Sequence, residues 1–425
     1  MRMLLSGGLV FQQGRFHRCD VALDAQRTVL ISPEISPSGF DSVFEFNNCY
    51  IMPGFVDVHV HLREPGFSYK ETIFSGTRAA ARGGYTAVCT MPNLDPAPDS
   101  AANLKTQRDI ISRDAAINVY PYACISVGER GERLADIETL APQVIGFSDD
   151  GRGVQDRGMM REAMLRIKDA GSLVAAHCED DTLLRGGYIH DGAYAKQHGH
   201  LGICSASEYK QIERDLELVR DTGCRYHVCH LSAKESVGLV RAAKKDGLPV
   251  SCETAPHYLL LCDSDLMEDG RFKMNPPLRA PADRDALTEG LIDGTIDLIA
   301  TDHAPHAADE KNRGLKDSAM GIVGLETAFS ALHTGLVLPG IITRELLADK
   351  LTDAPRRIFN IDGGLNEGEL ADICVADPSF VSVVDPQKFL SMGRSTPFEG
   401  MKTTGDIVMT ICKGDIVWQN SLRER

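Results

Sequence analysis

Residues 55–66 read Phe-Val-Asp-Val-His-Val-His-Leu-Arg-Glu-Pro-Gly. In an extended strand, side chains alternate between faces, so His59, His61 and Arg63 share one side while Val60 and Leu62 take the other. A short aliphatic strand that ends in polar, metal-ligating side chains is how a parallel barrel presents a site. Further stretches of the same kind follow at 87–91, 119–125, 144–149, 173–177, 226–230, 249–253 and 297–301. Most gaps lie near the roughly 30 residues that a (β/α)8 barrel of about 250 residues spends per unit. The longer gaps after the fifth and seventh strands imply insertions. The predicted class is α/β, a (β/α)8 TIM-like barrel.

The intervening stretches carry helix signals. Met160, Ala163, Met164 and Ile167 repeat at helical spacing and stop at Gly171. Ser205-x-x-Glu208 reads as a capping box before the stripe Ile212, Leu216, Val219, with Gly223 closing the helix. Ser232-x-x-Glu235 reads the same way, with an end near Gly247. The flanks differ in texture. Short apolar runs at 3–9, 20–23, 28–31 and 43–46 precede a Pro53-Gly54 turn, and similar runs return at 373–375, 407–411 and 416–418. Both ends are expected to join in one small β domain, 1–52 with 362–425, beside a barrel of 53–361.

Composition narrows the function classes. The 425 residues include 45 basic and 60 acidic side chains, a net charge of −15 that repels a phosphate backbone, so no nucleic-acid partner is expected. The early apolar run 3–11 is interrupted by Ser6, Gly7 and Gly8. It is too short for a signal peptide or a membrane span. Twelve scattered cysteines then read as reduced thiols of a cytoplasmic protein.

A His-x-His pair alone is common and weak. Here Asp149-Asp150 ends the fourth strand, His177 the fifth and His230 the sixth, and Asp302 follows the eighth. Four histidines and at least two carboxylates at the C-terminal rim exceed the needs of one tetrahedral Zn²⁺. Two metals sharing a ligand fit the count, and N/O donors suit a catalytic site with open positions. Cys178 and Cys229, each beside a candidate ligand, are expected to face away as packing residues, and the same alternation turns His227 outward. His17, His190, His198, His200 and His333 read as solvated or structurally satisfied; His257 and His303 stay open, and Asp149 reads as an orienting group. The charged stretch 307–318 reads as a lid over the pocket.

The stretch Asp57-Val-His-Val-His-Leu-Arg-Glu-Pro-Gly66 resembles the N-terminal signature of the dihydroorotases in the amidohydrolase superfamily. Gly83-Gly-Tyr-Thr86, Met91-Pro-Asn93, Ala176-His-Cys-Glu-Asp180, Cys229-His-Leu-Ser232, Lys273-Met-Asn-Pro-Pro-Leu-Arg279 and Ala300-Thr-Asp-His-Ala-Pro-His306 agree with it. So does 364–377, which resembles the return into the family's small β domain. The resemblance implies two Zn²⁺ per subunit: His59 and His61 on the first, His177 and His230 on the second, Asp150 bridging. It implies Asp302 as a ligand of the first zinc and general acid/base. It also implies Arg63 and Asn93 on the substrate carboxylate, Asn275 and His306 on ring or carbamoyl atoms, and backbone contacts around Met320-Gly321. The chain departs from many relatives by Ala319-Met320-Gly321 in place of Pro-Phe-Gly.

Related hydantoinases, dihydropyrimidinases and allantoinases bridge their metals with a carboxylated lysine, whereas this chain has Phe147-Ser-Asp-Asp-Gly151. The implied activity is interconversion of N-carbamoyl-L-aspartate and L-dihydroorotate in de novo pyrimidine biosynthesis, on a small-molecule substrate. The alternatives are a related hydantoinase or dihydropyrimidinase, and a non-catalytic homologue that scaffolds a carbamoyltransferase. Arg63 and the two asparagines argue against the first, and the intact ligand set against the second. Homo-oligomerisation and a carbamoyltransferase partner are left open.

Overall fold

The structure, a computed structural model, describes residues 2–420. Parallel strands form two hydrogen-bonded arcs. One runs Phe55–Val60, Tyr85–Thr90, Asn118–Pro121; the other runs Ala123–Cys124, Phe147–Ser148, Leu173–Ala176, Arg225–Val228, Val250–Thr254, Leu298–Ile299. The expected third strand is therefore split. Pro121 brings no N–H to the ladder, and Tyr122 turns inward, its hydroxyl donating to Val58 O across the interior at 3.0 Å. Tyr122 N donates to Thr90 O at 3.0 Å and closes that seam. The opposite seam closes where His61 N donates to His303 O at 2.8 Å. The result is an α/β barrel of the expected class.

Two apolar layers hold it. Val56, Val58, Ala87, Cys89, Leu173, Ala175, Leu298 and Ala300 fill the interior. The outward faces of the strands pack on helices through Ile73, Leu104, Met160, Met164, Ile212, Leu216 and Val237. The stripe 160–167 lies buried on the helix Arg157–Asp169, as its spacing requires. The two capping boxes do not form. The helix Ala206–Thr222 has no side-chain cap, and neither has Lys234–Lys245. Glu208 instead reaches across to the next helix start, where it accepts from Ser232 N at 3.2 Å, Ala233 N at 3.0 Å and Ser236 Oγ at 2.6 Å. Arg279 donates to Ser232 Oγ at 2.7 Å.

The two chain ends meet in one eight-stranded sheet. Its order is Asp415–Gln419, Lys402–Cys412, Ile373–Val383, Tyr50–Pro53, Arg2–Gln12, Arg15–Asp24, Arg27–Ser32, with Ser42–Glu45 added beside Arg2–Gln12. No turn occurs at Pro53-Gly54; the chain runs straight from this sheet into the first barrel strand. Glycine is needed there because a Cβ would collide with the Thr86 side chain. Arg356 pins this crossing and the return. It donates to Gly54 O at 2.7 Å, Gly363 O at 2.8 Å and Thr86 Oγ1 at 3.2 Å. Among the described residues no helix is long and apolar enough to cross a membrane.

Candidate active site

The C-terminal ends of the barrel strands bring His59, His61, Asp150, His177, His230 and Asp302 together, all buried. A register shift between Asp57 and Val60 lets His59 follow Val58 into the interior. Asp150 sits between two groups of histidines. Its Oδ1 lies 3.5 Å from His59 Nε2, 3.8 Å from His177 Nδ1 and 3.7 Å from His230 Nε2, and its Oδ2 lies 3.5 Å from His61 Nε2. Asp302 Oδ1 lies 3.1 Å from His61 Nε2 and 3.5 Å from His59 Nε2. His177 Nδ1 and His230 Nε2 face each other at 3.0 Å.

The donor set fits divalent cations. His59 Nε2 and Asp150 Oδ1 are buried without a hydrogen-bond partner, an arrangement that a bound cation resolves. His59 Nδ1 is occupied by Glu253 Oε1 at 2.9 Å, so its Nε2 lone pair is the one aimed at the centre. The electrostatics also favour positive charge. Burial pulls the His59 imidazolium down, yet Asp150 and Asp302 more than offset this and hold it well above the usual histidine value. Burial pushes Asp302 up, but His59, His61 and His230 bring it down to about 2. His59, His61 and Asp302 form one group within ligand reach, and His59, Asp150 and His230 another.

Arg63, Asn93, Asn275, His306, Met320 and Gly321 line the cavity of about 250 Å³ above these ligands. A larger groove of about 750 Å³ runs between the barrel and the sheet, without such a ligand set. Arg63 Nε is anchored on Pro305 O at 3.1 Å. Asn93 donates to Asp150 O, and Asn275 to Glu179 Oε2 at 3.0 Å. His306 Nε2 lies 2.8 Å from Met320 O. Burial, then Arg63 and Lys70, hold the His306 imidazole down at about 3, so it is neutral.

Similarity to known proteins agrees with this geometry. Residues 49–236 match the family model described as dihydro-orotase-like. The dihydroorotase of Fusobacterium nucleatum is 46% identical over 418 residues, 98% of each chain. That of Bacillus caldolyticus is 46% identical over 423 residues, 99% of each. The chain belongs to the dihydroorotase family. Among solved structures, the L-hydantoinase (dihydropyrimidinase) of Arthrobacter aurescens is 25% identical, with a TM-score of 0.89 over 98% of this chain and 96% of that one. The dihydropyrimidinase of Brevibacillus agri is 22% identical with a TM-score of 0.87 over 99% and 95%, a likeness of fold.

Several residues of this dihydroorotase-family chain sit otherwise than strict alternation predicts. Cys178 does face away, towards the Tyr226 hydroxyl at 3.2 Å. Cys229 and His227 instead turn inward. Their strand stops at Val228, and His230 has φ +34°, a left-handed turn that swings its imidazole back to the centre. Burial and then Glu253 push the Cys229 thiol up to about 12, a poor setting for a thiolate ligand. His227 Nε2 shares Glu253 with His59, at 3.1 Å. Asp149 ties the third strand's end to the fourth, accepting from Ile125 N at 2.8 Å and Ser126 N at 3.0 Å.

His333 and His200 are structural, on Thr404 O and on Glu268. His303 accepts from Gly324 N at 3.2 Å with Glu71 at 3.6 Å, while His190 and His257 are buried, each with one ring nitrogen unpartnered. The stretch 307–318 folds into two short helices, Ala308–Lys311 and Gly314–Asp317, joined to the barrel rim by the Lys70–Glu310 pair at 3.0 Å. The sequence reading missed Glu253 and Glu179 as groups that orient ligands. Their signal was position, one at the end of the seventh strand and one two residues after His177.

Proposed function

We propose that this site interconverts L-dihydroorotate and N-carbamoyl-L-aspartate by reversible hydrolysis of the ring amide, with two Zn²⁺ held by His59, His61, Asp150, His177, His230 and Asp302. The chain is accordingly a hydrolase acting on a cyclic amide, in de novo pyrimidine biosynthesis. One observation carries the reading: Arg63 opens onto the same cavity as the His/Asp centre. A guanidinium there matches the carboxylate of dihydroorotate, which hydantoins and uracils lack. Asp150 supplies the bridging charge from the chain itself, without a carboxylated lysine. We place this machinery within residues 53–361, with 1–52 and 362–425 as the β unit beside it, of which residue 1 and residues 421–425 lie outside the described residues, and read the protein as cytoplasmic.

Bound divalent cations would polarise the amide carbonyl and make water a nucleophile at neutral pH. The chain's own groups do the rest. Arg63 orients the substrate through its carboxylate, with Asn93, Asn275 and His306 on the remaining polar atoms. The Asp302 carboxylate takes the proton of the attacking water and returns it to the ring nitrogen as the C–N bond breaks. Burial raises its pKa, but His59, His61 and His230 bring it down to about 2, so it is ionised at neutral pH. Ring closure runs the same steps backwards, consuming one proton as a carboxylate becomes an amide.

The test is turnover of L-dihydroorotate with metal quantitation, in wild type and Asp302→Ala. We expect metal-loaded wild type to turn over and the variant to lose at least about 10²-fold in kcat, the usual scale for acid–base catalysis. A wild type that binds metal yet leaves dihydroorotate untouched refutes the reading. Equal rates on dihydrouracil would favour a broader cyclic amidohydrolase.

A further inference from the structure

We propose that Lys311 is a positioning residue for substrate, an ammonium group that fixes the cavity wall at Ala319–Gly321 by giving each of its three hydrogens to a backbone carbonyl. This deepens the reading above, in which Met320–Gly321 contacts substrate. Lys311 closes the short helix Ala308–Lys311 and is 4% exposed. Its Nζ donates to Gly321 O at 2.7 Å, Ala319 O at 2.8 Å and Lys273 O at 3.0 Å. An ammonium has three donors, and all three are used. No carboxylate lies within ion-pair distance of it among the described residues. Burial and then Lys273 hold its pKa down at about 7, so the three-donor ammonium is complete below that pH.

The three acceptors are placed informatively. Two flank Met320, and the third belongs to the residue two before Asn275. Met320 O is itself within 2.8 Å of His306 Nε2. Three consecutive carbonyls, 319 to 321, are thus engaged by the protein's own polar groups. Ala319 N donates to Glu310 O at 2.9 Å and Gly321 N to Lys273 O at 3.1 Å, so the group the wall still offers is the Met320 N–H, a donor that suits an oxygen of a carboxylated cyclic amide. A second lysine closes the brace: Lys273 Nζ donates to Lys316 O at 2.6 Å, and Ser318 Oγ to Lys311 O at 2.7 Å. The loop that delivers Asn275 and the loop that follows His306 are locked to each other rather than to the metal ligands.

Lys311→Met removes every donor at similar length, and Lys311→Gln keeps two. In metal-loaded enzyme we expect KM for L-dihydroorotate to rise about tenfold or more in the Met variant and less in the Gln variant, with kcat within about threefold. Metal content should be unchanged. Amide hydrogen exchange across 319–322 should quicken by about tenfold in the Met variant, without change elsewhere in the barrel. A lysine that is merely structural would lower kcat, metal content and melting temperature together, and that pattern overturns the proposal. So does unchanged exchange at 319–322, whatever the turnover. If Lys311→Met fails to fold, Lys311→Gln carries the same comparison. Wild type inactive on dihydroorotate sinks the functional reading alone, and the clamp is then judged by exchange.

Discussion

His59 presents Nε2 to the centre because Glu253 occupies its Nδ1, and Glu253 is itself steadied by His227. Glu253→Gln retains the shape but can turn its NH₂ towards the imidazole and favour the wrong tautomer. We expect metal affinity to fall about 10- to 100-fold, the usual cost of losing such a support; competition against a chelator measures it. Unchanged affinity would reduce Glu253 to packing. At this scale the ligand set was legible because each member closes a strand-like run. What alternation could not convey is the backbone reversal at Arg63, His230 and Asp302, with φ of +61°, +34° and +50°. Those left-handed residues redirect side chains after the pleat has ended, which is why His227 and Cys229 turn inward against expectation. Such backbone is costly for non-glycine residues and collects where a site over-determines it.

Between elements, Glu326 joins the helix Ile73–Arg82 to the segment near Leu390. It accepts from Leu390 N at 2.8 Å and Ser391 N at 3.2 Å, with Arg82 Nε at 3.5 Å. Burial nevertheless pushes its carboxyl up to about 7 from an ordinary 4.5. The folded state holds this proton more tightly than the unfolded chain. The contribution is therefore complete below about 4.5 and is lost as pH rises through about 7. Glu326→Gln should flatten the fall in stability between pH 5 and 8 by on the order of 2–3 kcal/mol, read from denaturant titrations at the two pH values. Parallel slopes for both proteins would show that Glu326 does not titrate there. Helix faces were legible from periodicity, whereas the capping boxes were not. Ser-x-x-Glu spacing marks donors and acceptors but not which helix they serve, and Glu208 serves its neighbour.

At the scale of the whole molecule, one guanidinium holds both places where the chain passes between sheet and barrel. Arg356→Met would leave Gly54 O, Gly363 O and Thr86 Oγ1 without their donor. We expect a loss of about 3 kcal/mol or more, partly restored in Arg356→Lys, by chemical denaturation. A loss under about 1 kcal/mol would make the pin incidental. The barrel could be read from eight aliphatic runs at regular spacing, and the sheet from the matching texture of the two flanks. The seams could not, because each closes through a few contacts around Tyr122 and His303 that leave no periodic trace.

The strand Tyr50–Pro53 lies between Arg2–Gln12 and Ile373–Val383 in the finished sheet. A ribosome delivers the first neighbour at once and the second only after the entire barrel has been translated. Throughout that interval the nascent protein carries a ready-made β edge, open to the same edge on an adjacent nascent copy.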